Sequence, residues 1–295
     1  MIPSQSTISD RLLTDGDPLW GETITRLSWV EQRWSGAGAA VWRGGPAGRC
    51  VRPDGSVDRF QTERFRGELA YWLRELKSPG AGGFAERFDG WQAERRDALR
   101  LALTEAEGGP VPDLDAWTAR CDVIELGGGP RPFVALGTWR SAVMIDPLVE
   151  GYRSSGILDD RGSFVPIASG AERLPLPARC CDLVVCDNML DHVNDPAEVC
   201  CEVSRVLRPG GLLWLLVDVG APVDEMHPHQ IHEELLHAML SPIGMERVFV
   251  RETGRPSHPM AHGQLRAMYK RQAERRESST ESNDPPSRYE AGGRQ

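Results

Sequence analysis

Apolar residues along this chain come in short blocks separated by polar, glycine-containing stretches. From Asp122 onward, runs at 122–126, 142–146, 163–167, 182–186, 212–219 and 246–250 read as strands, with helix-compatible segments between most of them. "DPAEVCCEVSRVLRPGG" is the clearest helix: Asp195 is placed to cap it, and Pro196 suits its first turn. Val199, Val203, Val206 and Leu207 share one face of that helix, and Pro209-Gly210-Gly211 predicts its end. "HQIHEELLHAMLSPIG" predicts a second helix, closed by Pro242 and Gly244. "MERVFVRE" and "GQLRAMYKR" have no helical pattern between them, and read as a final antiparallel pair. Strands alternating with helices predict a mostly parallel sheet covered on both faces.

The first 114 residues follow a different pattern. "AAVWRGGPAGRCVRPDGSVDRF" places Gly-Gly-Pro and Asp-Gly turn signals between short strand-like runs, which predicts a small hairpin. "TERFRGELAYWLREL" sets Phe65, Leu69, Tyr71, Trp72 and Leu76 near one helical face, and "FAERFDGWQAERRDALRLALTEAEGG" predicts a further helix running into Gly108-Gly109. Trp20, Trp29, Trp34, Trp42, Trp72, Trp91 and Trp117 all precede residue 120. Aromatic residues at helical spacing usually pack a core, and that is the expected role for most of them. The organisation expected is an N-terminal tryptophan-rich extension over 1–114, able to serve as a lid or pocket wall, an α/β domain over 115–270, and a polar, disordered tail over 271–295.

Charge and cysteine usage narrow the function classes. A net charge of −9 disfavours a nucleic-acid backbone as partner. Lys77 and Lys270 are the two lysines among 34 basic residues, which nearly excludes a catalytic lysine. Seven cysteines without a C-x-x-C pair fit reduced, buried thiols rather than a disulfide framework or a zinc site, and no metal is expected. The start "MIPSQSTISDRLL" lacks signal-peptide features, and no apolar run has the length of a membrane span, so a cytoplasmic protein is expected.

"DVIELGGGPRPF" holds the most telling turn. A strand entering a glycine turn and then a helix exposes backbone N–H groups to an anion or nucleotide. The dinucleotide pattern G-x-G-x-x-G is incomplete, because counting from Gly127 puts Gly129 second and Pro132 at the third glycine. The next strand delivers Asp146 nineteen residues after Gly127, where a carboxylate can accept hydrogen bonds from both ribose hydroxyls. That acid suits a nicotinamide cofactor and S-adenosylmethionine alike.

The downstream order separates them. "VIELGGGP", "MIDP", "GAERLPLP", "CDLVVCDNMLDHV" and "EVSRVLRPGG" occur in succession, and the stretch from about 115 to 270 resembles the class I S-adenosylmethionine-dependent methyltransferases, especially those acting on small molecules and lipids. The resemblance implies a Rossmann-like, doubly wound sheet of seven mostly parallel strands with an antiparallel last strand, and S-adenosyl-L-methionine as cofactor. It implies that Glu125, Gly127, Gly128 and Gly129 shape the pocket for the methionine part, and that Asp146 holds the ribose beside Pro147. Ala171 and Glu172 would flank the adenine, with Asp187 and Asn188 near the sulfonium. Two positions depart from the pattern. Arg131 replaces a family glycine, and its guanidinium is a candidate for the cofactor carboxylate. Gly170 stands where relatives often place an aspartate for the adenine amino group.

For the acceptor, Asp187, Asp191, His192, His227 and His229 are the candidate bases, with Glu225 beside the histidines of "DEMHPHQIH". The expected function is methyl transfer to a small-molecule acceptor by in-line displacement, with no nucleic-acid partner. The alternative is an inactive protein of the same fold serving as a partner subunit. An NAD(P)-dependent oxidoreductase is disfavoured by the missing third glycine and the absence of a Tyr-x-x-x-Lys pair.

Overall fold

The computed structural model describes residues 43–45, 49–51, 59–77, 82–111, 113–159, 161–254 and 256–273. Trp20, Trp29, Trp34 and Trp42, and the tail beyond residue 273, lie outside the described residues.

The described residues begin with an antiparallel strand pair, β1 (Arg43–Gly45) and β2 (Arg49–Val51), followed by helices α1 (Arg59–Lys77) and α2 (Gly82–Ala106). A short helix, α3 (Leu114–Thr118), capped by the Asp113 carboxylate, leads into the sheet. The sheet strands are β3 (Asp122–Leu126), β4 (Ser141–Ile145), β5 (Val165–Ile167), β6 (Cys181–Asp187), β7 (Leu207–Val219), β8 (Met245–Thr253) and β9 (Gly263–Arg271). Helices α4 (Val149–Ser154), α5 (Pro196–Val206) and α6 (Glu233–Leu240) lie between them in sequence.

The seven strands run in the order β5-β4-β3-β6-β7-β9-β8. Pairs from β5 through β7 are parallel, and β9 is antiparallel to both β7 and β8. This is the doubly wound, Rossmann-like sheet with an antiparallel last strand that the sequence predicts. The strand order reverses between β3 and β6, where the two chains leave their carboxyl ends in opposite directions and open a crevice. The glycine turn follows β3, and Asp187 ends β6, so both predicted elements reach that crevice.

Alternation along the strands builds a core on each face. Ile124, Leu126, Val184 and Cys186 pack with Val199, Val203 and Val206 of α5 and with Leu236 and Leu240 of α6. Val123, Leu183 and Val185 point the other way, onto Leu99, Ala102 and Leu103 of α2, with Trp139, Trp214 and Phe249. Helix α2 is therefore part of the main core, and the expected boundary at 114 does not separate two cores. Cys121, Cys180, Cys181, Cys186 and Cys200 are buried free thiols, and Cys201 is an exposed one.

Three local expectations change. The glycine turn leads not into an α-helix but into one 3-10 turn, Phe133–Leu136, because Gly137 and the buried Trp139 end it at once. Helix α5 stops at Val206, before the Pro-Gly-Gly signal, since the residue preceding Pro209 is disfavoured in helical conformation. Arg208 instead lies in the extended chain and donates to Asp182, Asp122 and the Cys180 carbonyl. The last strand includes Arg271, whose guanidinium donates to the Leu207 carbonyl, so the ordered domain passes the expected boundary at 270.

Candidate active site

The crevice opens into a cavity of about 490 Å³, within the range of small-molecule pockets. Its floor is the glycine turn and the ends of β4 and β6; its roof comes from α1 and α2.

Gly127 and Gly129 take positive φ values of 67° and 62°, which lets the turn fold back under the cavity. A side chain at Gly127 would strike Met189 at 2.5 Å. Glu125 is buried and spans this turn: its Oε1 accepts the Phe133 N–H at 2.8 Å and its Oε2 the Val134 N–H at 2.9 Å. It thus caps the 3-10 turn while its flank lines the cavity. Burial pushes its carboxyl up to about 8, against the pull of those two hydrogen bonds.

Asp146 follows β4 and is 4% exposed, with Oδ2 accepting the Gly129 N–H at 3.0 Å and Oδ1 the Leu148 N–H at 2.7 Å. These bonds aim the carboxylate across the glycine turn and leave each oxygen capacity for another donor. Burial, reinforced by the nearby charge of Glu68, lifts this carboxyl to about 7. Pro147, Ser169, Gly170, Ala171 and Glu172 continue the wall. The Glu172 Oε1 accepts the Asn194 N–H at 2.9 Å, pinning one loop to another.

At the end of β6, Asn188 adopts a positive φ of 49° while its Oδ1 accepts the Asp218 N–H at 3.0 Å. Asp187 is paired through Oδ2 with Arg95 of α2 at 2.9 Å, both side chains largely buried, and its Oδ1 is buried without a hydrogen-bond partner. Burial raises the Asp187 carboxyl, opposed by the Arg95 charge. Arg131 lines the cavity as its position predicts, and its charge also acts on Asp159.

The roof holds residues that sequence reasoning assigned to the core or passed over. Phe65, Glu68, Tyr71 and Trp72 of α1 and Trp91 of α2 face the cavity. The Trp72 ring lies over Gly129, 3.5 Å from where a side chain there would begin. Trp72 and Trp91 line the cavity, whereas Trp117 packs partly buried against the core, the role expected for most of the tryptophans. Arg64 ties α1 to the loop after β6, donating to the Asn194 side chain at 3.3 Å and to the His192 carbonyl. Neither Arg64 nor Arg95 carried a signal, because both sit in helices rich in alternating charge that read as solvated faces.

The histidines divide. His192 and His227 line the cavity with ring centroids 4.5 Å apart, and His258, from the β8–β9 connection, stands 5.0 Å from His227. His258 is held there because buried Asp218 accepts the backbone N–H groups of Ser257 and His258. His227 Nδ1 lies 2.9 Å from Asp224 Oδ1. His229 turns away: its Nε2 contacts the carbonyls of Val193 and Asn194 at 3.0 and 3.2 Å, and neither it nor Glu225 lines the cavity. The H-x-H spacing misleads here because alternate residues of an extended loop need not face one cavity when one of them finds backbone partners.

The chain is similar to several known proteins. Residues 149–215 match the family model described as a methyltransferase domain. Thiol S-methyltransferase TMT1B of Mus musculus is 31% identical over 119 residues, 38% of this chain and 48% of that protein. An uncharacterized methyltransferase of Mycobacterium bovis is 29% identical over 175 residues, 56% of this chain and 66% of its own length. A crystal structure of a SAM-dependent methyltransferase from Methanosarcina mazei aligns at 18% identity and TM-score 0.44, covering 53% of this chain and 94% of that one. The chain spans about half the length of most of the curated relatives it matches. The methyltransferase-domain match covers the part of the α/β domain from α4 into β7 and is consistent with the motif series and the sheet order already described.

Among the described residues no helix is long and apolar enough to cross a membrane.

Proposed function

We propose that this chain is an S-adenosylmethionine-dependent methyltransferase acting on a small-molecule acceptor whose S–H, O–H or N–H is ionisable. The observation that carries the reading is the convergence, at the switch point of the sheet, of the positive-φ glycine turn, the aimed Asp146 carboxylate and the buried Asp187 oxygen without a partner. Such a group asks for a polar ligand rather than an apolar one.

The residues fit the cofactor as follows. Asp146 would accept the ribose hydroxyls, with Pro147 beside it; Ala171 and Glu172 would border the adenine. Gly127, Gly128 and Gly129 would let the backbone approach the methionine part, with Glu125 fixing the turn beneath. Arg131 would meet the cofactor carboxylate, and Asp187 and Asn188 would face the amino-acid and sulfonium end. When bound, the cofactor supplies an activated methyl group on a sulfonium.

The chain itself aligns the acceptor and removes its proton. The roof helices exclude water and hold the acceptor in line with the methyl carbon, which can account for most of the rate. With Asp224 ionised, the shared proton sits on His227 Nδ1, so the neutral ring presents an unprotonated Nε2 to accept the acceptor's proton. His192 packs against that ring and fixes its tilt.

Calorimetric titration with S-adenosylmethionine, S-adenosylhomocysteine and NADH tests the cofactor assignment. Binding of the first two without the third is expected; no binding of either sulfur ligand would overturn it. A panel of thiols, phenols and amines then reads the acceptor class, thiols entering because a relative carries that activity in its name.

A further inference from the structure

At the end of the cavity away from the glycine turn, side chains distant in sequence gather around His227. Asp191, His192 and His227 each offer a ligand atom, and these atoms lie within 4.8 Å of one another. We propose that these three residues form a divalent transition-metal site of the two-histidine, one-carboxylate kind.

Four observations carry it. Asp191 is 3% exposed, yet its Oδ1 has no hydrogen-bond partner, and the nearest imidazole nitrogen, His192 Nε2, stands 3.9 Å away, too far for a hydrogen bond. A buried carboxylate oxygen left this way is costly unless something binds it. Next, Asp224 holds His227 Nδ1, the outer-shell contact that fixes the tautomer of metal-binding histidines and leaves Nε2 for the ion. Charge points the same way: Glu68, Glu172 and Asp224 act on the Arg64 guanidinium, and Asp191 acts on Glu68, so acidic side chains outnumber the one guanidinium around this spot. Finally, spacing permits closure: donors about 2.0–2.2 Å from a common ion stand roughly 3–4 Å apart, reached by small side-chain rotations.

A second trio, Asp224, His227 and His258, is equally close. The His258 Nδ1 accepts the Met260 N–H at 3.2 Å, however, so its Nε2 carries the proton in the neutral ring and is a poor donor to metal. His258 thus serves as packing for His227. Two nitrogens and one oxygen select zinc, iron(II), cobalt(II) or nickel(II) over magnesium or calcium. The remaining coordination positions open to the cavity. If the proposed methyl transfer holds, the acceptor's sulfur or oxygen binds there as its anion, the ion's charge lowering its pKa so that its proton passes to bulk water; in the ion-free protein His227 Nε2 takes that proton instead. Binding of the ion itself does not depend on that reading.

The test uses tag-free, chelator-treated protein titrated with Co²⁺, followed by visible d–d absorption, and with Zn²⁺ by calorimetry. One ion per chain is expected, weakened at least ~10-fold by each of Asp191→Asn, His192→Gln and His227→Gln, and by about 10–100-fold in Asp224→Asn. His258→Gln should bind as the unchanged protein does. On the unsubstituted protein, substoichiometric Co²⁺ should broaden the ring resonances of His192 and His227 and spare those of His232 and His237, which keeps the test independent of any variant's folding. Absent stoichiometric binding, broadening centred on other histidines, or loss of binding in His258→Gln with retention in His192→Gln would each overturn the site. S-adenosylhomocysteine titration of the same samples reports separately on the cofactor reading.

Discussion

Replacing Arg95 by methionine removes the cation that faces Asp187 across the cavity roof. The pair is 2.9 Å long, and its side chains are 11% and 7% exposed, so solvent screens it weakly. Charge centres about 4 Å apart at an effective dielectric constant near 20 attract by roughly 4 kcal/mol. Breaking such a pair from one side typically costs about 3–5 kcal/mol, because the remaining charge stays buried. Asp187 has one escape: burial already raises its carboxyl, and without Arg95 it can take up a proton. The expected destabilisation of Arg95→Met near neutral pH is therefore about 2–3 kcal/mol, smaller in mild acid and larger as pH rises. Urea unfolding of the parent, Arg95→Met, Asp187→Asn and the double variant measures the coupling directly. An interaction energy of at least ~1 kcal/mol is expected, with the double variant better than the sum of the singles. Coupling below about 0.5 kcal/mol, or a loss independent of pH, would refute the argument.

Two further predictions concern acids elsewhere. Burial, and then the charge of Glu68, pushes the Asp146 carboxyl up to about 7, so if its ionised form receives the ribose hydroxyls, S-adenosylhomocysteine affinity should strengthen as pH rises through that value. Calorimetry across this window should show the dependence, at most ~tenfold per unit below the pKa, and Asp146→Asn should flatten it; a flat profile in the parent protein would contradict it. Burial works to raise Asp122, but hydrogen bonds from Arg140, Ser141 and Arg208 outweigh it and hold the carboxyl below its ordinary range. Its folded pKa being depressed, the stability it contributes is present above the unfolded value and is lost as pH falls through the folded one. Asp122→Asn should accordingly lower stability near neutrality and shrink the acid limb of the unfolding profile, measured by thermal melts from neutral to acid pH.

The sheet was legible because its cause is local. Short apolar runs, the cap and proline at Asp195–Pro196 and the glycine at 244 act within a few residues, and each element appears near its expected place. The glycine turn and Asp146 were legible for the same reason. What escaped notice depends on residues far apart in sequence. Glu125 reads as one acid before a turn, and only the folded backbone shows it capping two N–H groups beyond the glycines. His258 joins His227 only because β9 returns through the sheet and Asp218 catches the connecting loop. Arg64 and Arg95 look solvated until the helices that carry them are laid over the crevice. Helix α5 ended early because a backbone restriction at Arg208 acted before the more conspicuous proline and glycines.

Strand β9 lies between β7 and β8, although it is the last of the three in the chain. During synthesis, β8 has no neighbour to join until residues 263–271 leave the ribosome, and β7 meanwhile presents a bare, strongly apolar edge. The half of the sheet that supports Asp218 and His258 is thus completed last, and a message cut short before codon 263 would yield a sticky fragment, not a smaller folded domain.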